Sequence, residues 1–500
     1  MAMMDWFRKR ADAPAKKAPR RAARAYQAAS RSRLTDSWTT TPTSADAEVY
    51  RAQRVVRARS RQERRDNPHI TRYFSLLNNN VIGPRGISMQ AQVTYNSGKA
   101  DTAANNAIES WWRAWGTSCD ATGQLSWNDV LRQALHSMAE DGEVFMEILH
   151  TREGVKVMMI DPEMVDIELN ETRKGGNYIR MGIERTPSGA PVAYYLHDER
   201  VNPTLYADGY SFGAKQYRRV EASHIIHAFA RDRVGQTRGM PWTASILWRL
   251  KMHAGYTDAA VTAARVGAAK MGFFLTGDGD HYVGDDEEEQ DGAQLIDAAE
   301  PGLFEELPEG IKDFKSFDPD YPHAQFESFD KAMTRSHAVG LGVAYHALSG
   351  DLTSVNFSSI RAGVLEDREG WKVLQQLVID NICVKVFTPA ITFAVAAGQI
   401  PVGKTTLDVA RLDKYVTPQW RGRRWPWVDP IKDLDFALGS YKLGVTSLSE
   451  ICQDMGKDLE TVLAQRAKDD DVLKRYGVTP SEVLDAAAAP AQVTTEDDSQ

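Results

Sequence analysis

The chain has 500 residues, 42% hydrophobic and 26% charged, and a formal net charge of −8. That length exceeds what one core needs, and the balance is that of a folded chain of several units, neither disordered nor membrane-embedded. Residues 1–65 carry 17 Lys/Arg against 6 Asp/Glu, leaving 43 basic against 62 acidic residues in the remainder, a basic arm on an acidic body. Cys119, Cys383 and Cys452 lie far apart without CxxC spacing, which argues against a disulfide framework or a zinc ribbon and suits a reducing compartment. No apolar core follows the basic start, so no secretion signal is expected. The weakly polar stretch 387–402 contains Pro389 and Pro401 and falls short of the roughly 20 residues of a spanning helix.

In chain order, the Ala-, Arg- and Ser-rich residues 1–44 read as a solvated, disordered arm. Residues 45–80 read as helix, broken at Asn67-Pro68 and ended by Asn78-Asn79-Asn80 and the turn after Gly83. Residues 103–115 form a helix with Ile108, Trp111, Trp112 and Trp115 on one face, and 127–138 a second, capped by Ser126. From 143 to 230 the texture changes to short β runs (144–148, 155–160, 192–196 and 225–226) separated by breakers such as Arg152-Glu153-Gly154, Pro187-Ser188-Gly189 and Asn202-Pro203. Pro241 is expected to open a long helix to about Lys270, dense in small residues that allow close helix approach. An island at 272–320 holds strand-like pieces at 273–275 and 302–307 around the acidic run 285–289. Helix returns at 324–341. A polar break at 349–359 precedes a long helix at 360–386, 434–475 is helical, and the tail after 486 reads as disordered.

Few patterns promise chemistry. Residues 398–405, Gly-Gln-Ile-Pro-Val-Gly-Lys-Thr, match the GxxxxGK[ST] phosphate loop. That loop needs a strand-to-helix turn whose N–H groups curl around phosphates, whereas here a helix precedes and Gly398 reads as its stop. Consecutive carboxylates at 285–289 point in different directions and suit a solvated loop better than a metal pair. His224 and His227 bracket Ile225-Ile226, so in a strand they face opposite sides and share no metal. Ser349, Ser354, Ser358 and Ser359 lack the Gly-x-Ser-x-Gly setting of a hydrolase. The residues therefore predict no catalytic, cofactor-binding or metal site.

The order of several segments resembles the lambda-type portal proteins of bacteriophages. The segments are Arg64-Arg65-Asp66-Asn67-Pro68 through Asn80-Val81-Ile82-Gly83; Val234-Gly235-Gln236-Thr237-Arg238-Gly239 between a strand and a helix; and residues 340–349 with 355–362. Leu443-Gly444-Val445-Thr446-Ser447 with Gly456-Lys457-Asp458 and Gln465-Arg466-Ala467 completes the set, so the resemblance spans roughly 45–475. The island at 272–320 carries no matching motif.

The resemblance implies a mixed α+β portal fold and a non-enzymatic subunit of a ring of about twelve copies. The ring would sit at one capsid vertex as the channel for DNA packaging, head–tail joining and ejection. The implied parts are a wing (45–240 and 360–430, the latter including a long helix), stem helices (241–271 and 322–348), a small α/β clip (272–321), a tunnel loop (349–359) and a helical crown (431–475), with a disordered tail at 476–500. The tunnel loop would comprise Ser349, Gly350, Asp351, Leu352, Thr353, Ser354, Val355, Asn356, Phe357, Ser358 and Ser359. Implied partners are other copies of the chain, the terminase large subunit, major capsid and scaffold proteins, head-completion or adaptor proteins, and double-stranded DNA passing without sequence readout; no membrane and no cofactor are implied. The virion is the expected location after assembly in the host cytoplasm. An acidic wall repels passing phosphates rather than gripping them. Two rival readings are an ATP-driven nucleic-acid enzyme resting on 398–405, and a ring-forming minor capsid or adaptor protein off the DNA path.

Overall fold

A computed structural model describes residues 33, 36–173, 175–197, 216–268, 272–276, 311–316, 325–353, 357–426 and 429–477. Most of the basic arm, the tail from 478, the strand-like piece at 302–307 and the acidic run at 285–289 lie outside them.

Helix α1 (Ala45–Asp66) starts at Ser44, whose hydroxyl accepts the Ala47 N–H. Asn67 ends α1 and caps α2 (Pro68–Leu77), with Pro68 in the first turn, where its missing N–H has no partner to lose. A wide turn, Asn78–Ile82, closes on Gly83 at φ +72°. After β1 (Ser88–Gln90) come α3 (Thr102–Gly116) and α4 (Trp127–Glu140); Ser126 and Asp129 close a reciprocal capping box on α4. Ile108 and Trp112 are buried on the predicted face of α3, and Trp112 stacks on Trp115 at 4.5 Å.

The β region makes two antiparallel sheets. One has strand order β3-β2-β9, from β2 (Val144–His150), β3 (Val155–Ile160) and β9 (Ile225–Ala228). The other runs β4 (Glu171–Thr172), β5 (Tyr178–Arg180), β6 (Ile183–Arg185), β7 (Pro191–His197) and β8 (Tyr217–Glu221) in sequence order. Phe145, Val165, Ile183, Tyr194 and Ile225 form a small apolar core there.

Helix α5 (Leu247–Ala268) begins six residues after Pro241, not at it. Residues 241–246 turn instead, because the Trp242 N–H is held by the Ala139 carbonyl and the Thr243 hydroxyl by Ser60. Strands β10 (Gly272–Thr276) and β11 (Ile311–Ser316) pair antiparallel. The second was not predicted, because only Ile311 and Phe314 are apolar and their spacing breaks the alternation of a strand. Helix α6 (Phe326–Leu341) ends at Gly342 in the left-handed region, and α7 (Tyr345–Ser349) ends likewise at Gly350.

The long helix begins at α8 (Phe357–Val378), passes a wide turn at Ile379–Cys383, and continues as α9 (Val384–Ala396) through Pro389. It therefore starts three residues earlier and ends ten later than predicted. Residues 360–396 are long and apolar enough to cross a bilayer, yet 56% of the apolar window is buried inside the fold. Val378, Ile382, Phe387 and Ile391 of this helix share one core with Leu77, Ile82, Ile108, Leu131 and Val144. Strand β14 (Gln419–Arg421) pairs with β1 across more than 300 residues, so the regions before and after the α5–α6 segment build one body. Between them lie a small hairpin, β12 (Pro401–Val402) with β13 (Thr405–Thr406), and α10 (Leu412–Tyr415). Helices α11 (Pro430–Lys442), α12 (Leu448–Asp454) and α13 (Leu459–Arg475) follow.

Candidate functional site

The segment predicted as a loop at 349–359 is shorter. Ser349 is the last residue of α7, and Phe357, Ser358 and Ser359 are the first turn of α8; Ser354, Val355 and Asn356 lie outside the described residues. What remains is Gly350 at φ +74°, a conformation that favours glycine, then Asp351, Leu352 and Thr353. Asp351 is not turned outward. Its carboxylate accepts the Thr353 hydroxyl (2.6 Å) and N–H (2.9 Å) and the Tyr345 hydroxyl (3.0 Å), and lies 3.4 Å from Lys331 Nζ of α6. These donors, Thr353 first, hold its carboxyl well below the usual carboxylate range. Leu352, 59% exposed, and Thr353 are the residues this knot presents to solvent.

Beneath the loop, Asp351, Tyr345 and Lys331 line a cleft of about 360 Å³ with His69 and Asp330. Asp330 pairs with His253 of α5 at 2.9 Å. One ring further in, His337 is fully buried at 5.3 Å from the His253 ring, and neither of its nitrogens has a hydrogen-bond partner. Burial, then the neighbouring His253 and His69, push His337 down to about 4. No group of donors among the described residues has the geometry of a metal site.

The phosphate-loop match is a helix end followed by a hairpin. Gly398 (φ +65°) and Gln399 donate back to the carbonyls of Val395 and Ala394, and Gly403 (φ +62°) with Lys404 turns β12 into β13. Lys404 is exposed, and Thr405 opens strand β13 rather than a helix, so no helix N-terminus directly follows the match to aim N–H groups at a phosphate. His224 is exposed in a one-turn helix, while His227 is packed inside and bonded at 3.0 Å to Glu143, so the two share no site.

Glu143 is the centre of a buried ionic junction that the sequence reading missed. It is fully buried and receives Arg57 (2.7 Å), Arg238 (2.7 Å), Gln53 (2.9 Å), the Gly239 N–H (3.0 Å) and His227. Although burial opposes the charge, these donors, Arg238 foremost, hold the carboxyl far below its usual range. Arg238 also donates to the carbonyls of Pro162, Val165 and Met181, the last in a left-handed turn at φ +49°. The Gln236-Thr237-Arg238-Gly239 motif thus ties α1 to both sheets. Its glycine is required by space, since a Cβ on Gly239 would lie 2.0 Å from the Gly142 carbonyl oxygen.

The sequence profile of the phage portal proteins of the lambda family matches residues 31–375. The chain belongs to that family. It is 31% identical over 480 residues to the probable portal protein of Halomonas phage phiHAP-1, covering 93% of this chain and 89% of the relative. Identity to portal protein B of Escherichia phage lambda is 20% over 391 residues, covering 72% of each chain. Among solved structures, it is similar to a chain from the neck of an empty gene transfer agent particle, with a TM-score of 0.43 and 16% identity over 81% of this chain and 94% of that one. As a lambda-family phage portal protein the chain is a virion component with a mixed α+β fold. Its function is to form the channel at one capsid vertex for DNA packaging, head–tail joining and ejection. In such a protein the site of interest is a surface repeated around an axis rather than a pocket.

Proposed function

We propose that this portal protein works without catalysis of its own, as a closed ring of about twelve copies whose α7–α8 connection, 350–356, lines the channel. Membership of the portal family over most of the chain carries this reading. The α5–α6 helices would form the stem, β10–β11 and residues up to 321 the clip, the shared body of 45–240 and 360–430 the wing, and α11–α13 the crown. The terminase large subunit would dock during packaging, head-completion or adaptor proteins afterwards, and capsid and scaffold proteins around the rim, with assembly in the host cytoplasm. Two features support the loop assignment: the segment follows α6 and the short α7 and leads into the body helix α8, and the knot of Asp351 on Lys331 and Tyr345 pushes Leu352 and Thr353 outward.

Because Asp351 is occupied in that knot, Leu352→Lys probes the channel more cleanly than Asp351→Lys. A lysine there adds one phosphate contact per copy, and each contact raises affinity with a salt slope of about −0.9. Electron microscopy of the purified protein should show rings with a central channel. Packaging by Leu352→Lys should be slowed at low salt and recover in part at higher salt; wild-type rates at both would remove the loop from the channel.

A further inference from the structure

Three cations converge on one cleft with no acid to meet them. The cleft, of about 250 Å³, lies where β6 and β7, the segment after β9 and helix α9 come together. Arg185 enters it from the end of β6, Arg231 from the segment after β9, and Lys385 from the first turn of α9. Among the described residues no Asp or Glu lines it. The carboxylates behind the lining are already engaged, Asp46 by Thr237 (2.7 Å) and Arg180 (3.0 Å), and Glu143 by His227, Arg57 and Arg238. Arg185 donates to the Thr237 hydroxyl at 2.6 Å, while its Nε is buried without a partner. Arg231 lies over the Phe229 ring at 5.3 Å, and neither Arg231 nor Lys385 has an ion pair among the described residues. Partial burial, then the facing Arg231, hold the Lys385 ammonium below its ordinary pKa, so these two side chains stand close enough to repel each other.

We propose that this cleft binds one oxyanion, a phosphate or carboxylate group, between Arg185, Arg231 and Lys385. Gathering like charges destabilises a fold unless an anion is shared among them, and the planar fork of arginine suits the oxygens of either group. The volume falls below the ~300–1,000 Å³ of pockets for larger organic ligands, which fits a single small group. Solvent can hydrate Arg231 and Lys385 at the rim, but the buried Nε of Arg185 is out of its reach. A bound anion would tie the five-stranded sheet to α9 by charge-assisted contacts in place of the repulsion.

The test titrates inorganic phosphate into the full-length protein by calorimetry and follows thermal unfolding in phosphate against chloride of equal ionic strength. Phosphate should bind once per chain and raise the melting temperature increasingly with its concentration, where chloride does not. Arg231→Gln/Lys385→Gln should keep the circular dichroism spectrum, weaken phosphate binding about tenfold or more, and remove the thermal response. Lys385→Glu is a second variant that places a carboxylate in the cleft itself. It should raise the melting temperature in phosphate-free buffer and no longer respond to phosphate. Acetate, run in parallel, separates the two sources of the group. A response to phosphate alone assigns the site to a free ion, and an equal or stronger response to acetate assigns it to a carboxylate carried on another molecule. Binding of neither anion by the wild type, or phosphate bound equally by the wild type and the double variant, would overturn the inference.

Discussion

Replacing His337 with leucine should stabilise the subunit, and increasingly so as the pH falls. The ring is fully buried between α5, α6 and α2, with the Arg249 backbone beside it but no well-formed hydrogen bond to either nitrogen. The titratable groups acting on it are His253, His69 and Arg249, none of them an acid, and the acid nearby, Asp330, is paired with His253. With its folded-state pKa down at about 4 against an ordinary value near 6.5, the ring is neutral in the native protein. The unfolded chain takes up the proton first. Native stability attached to this residue is therefore complete above pH 6.5 and declines as the pH falls toward 4, by ~2 kcal/mol at pH 5 and ~3 kcal/mol at pH 4. Leucine removes that decline, and at neutral pH it also removes the ~1–3 kcal/mol penalty of a buried polar group without a partner. Urea unfolding of wild type and His337→Leu at pH 7.5, 6, 5 and 4.5 measures both terms. A leucine variant less stable at every pH, or one whose advantage does not grow on acidification, would show that the ring is charged or well bonded and refute the reasoning.

Arg238→Met should cost about 3–5 kcal/mol, because it strands Glu143 in the interior with one cation fewer; a melting temperature within a degree or two of wild type contradicts this. Lys404→Ala should leave ring mass and packaging rate unchanged, and the wild type should show no ATP binding by calorimetry. Binding that vanishes in the variant would restore the phosphate-loop reading.

Helix positions were legible in the sequence wherever a cap or breaker sat next to a periodic apolar face. Asn67-Pro68 and Ser126 mark ends that the structure reproduces, and Ile108 with Trp112 are buried on the predicted stripe of α3. Pro241 misled because proline suits a turn as well as a first helical position, and here Ala139 and Ser60 claim the next two residues. Strand β11 was invisible because its pattern depends on pairing with β10 rather than on its own alternation. The loop was read too long for a related reason: Phe357, Ser358 and Ser359 have weak helix propensity individually, and the helix they begin is secured by the core contacts of Val378 and Phe387 further along.

The ionic junction was hidden for a different reason, since no spacing rule joins Arg57, Glu143 and Arg238, which are brought together only by the packing of α1 on the two sheets. A trace of it was nonetheless present in the sequence. Gln236-Thr237-Arg238-Gly239 carries no chemistry as a linear motif, yet it stands where the β region ends and the stem-like helices begin. The structure gives each residue a task there: Gln236 accepts the N–H groups of Asp232 and Arg233, Thr237 binds Asp46, Arg238 neutralises Glu143, and Gly239 leaves room for the Gly142 carbonyl. A portal ring must hold its subunit body rigid while DNA moves past, and a buried charge cluster whose carboxylate is met by several donors at once is a means of fixing one geometry rather than of maximising stability. On that argument Arg238→Lys, which keeps the charge but loses the forked contacts to three carbonyls, should assemble but release DNA at a lower temperature than wild-type particles.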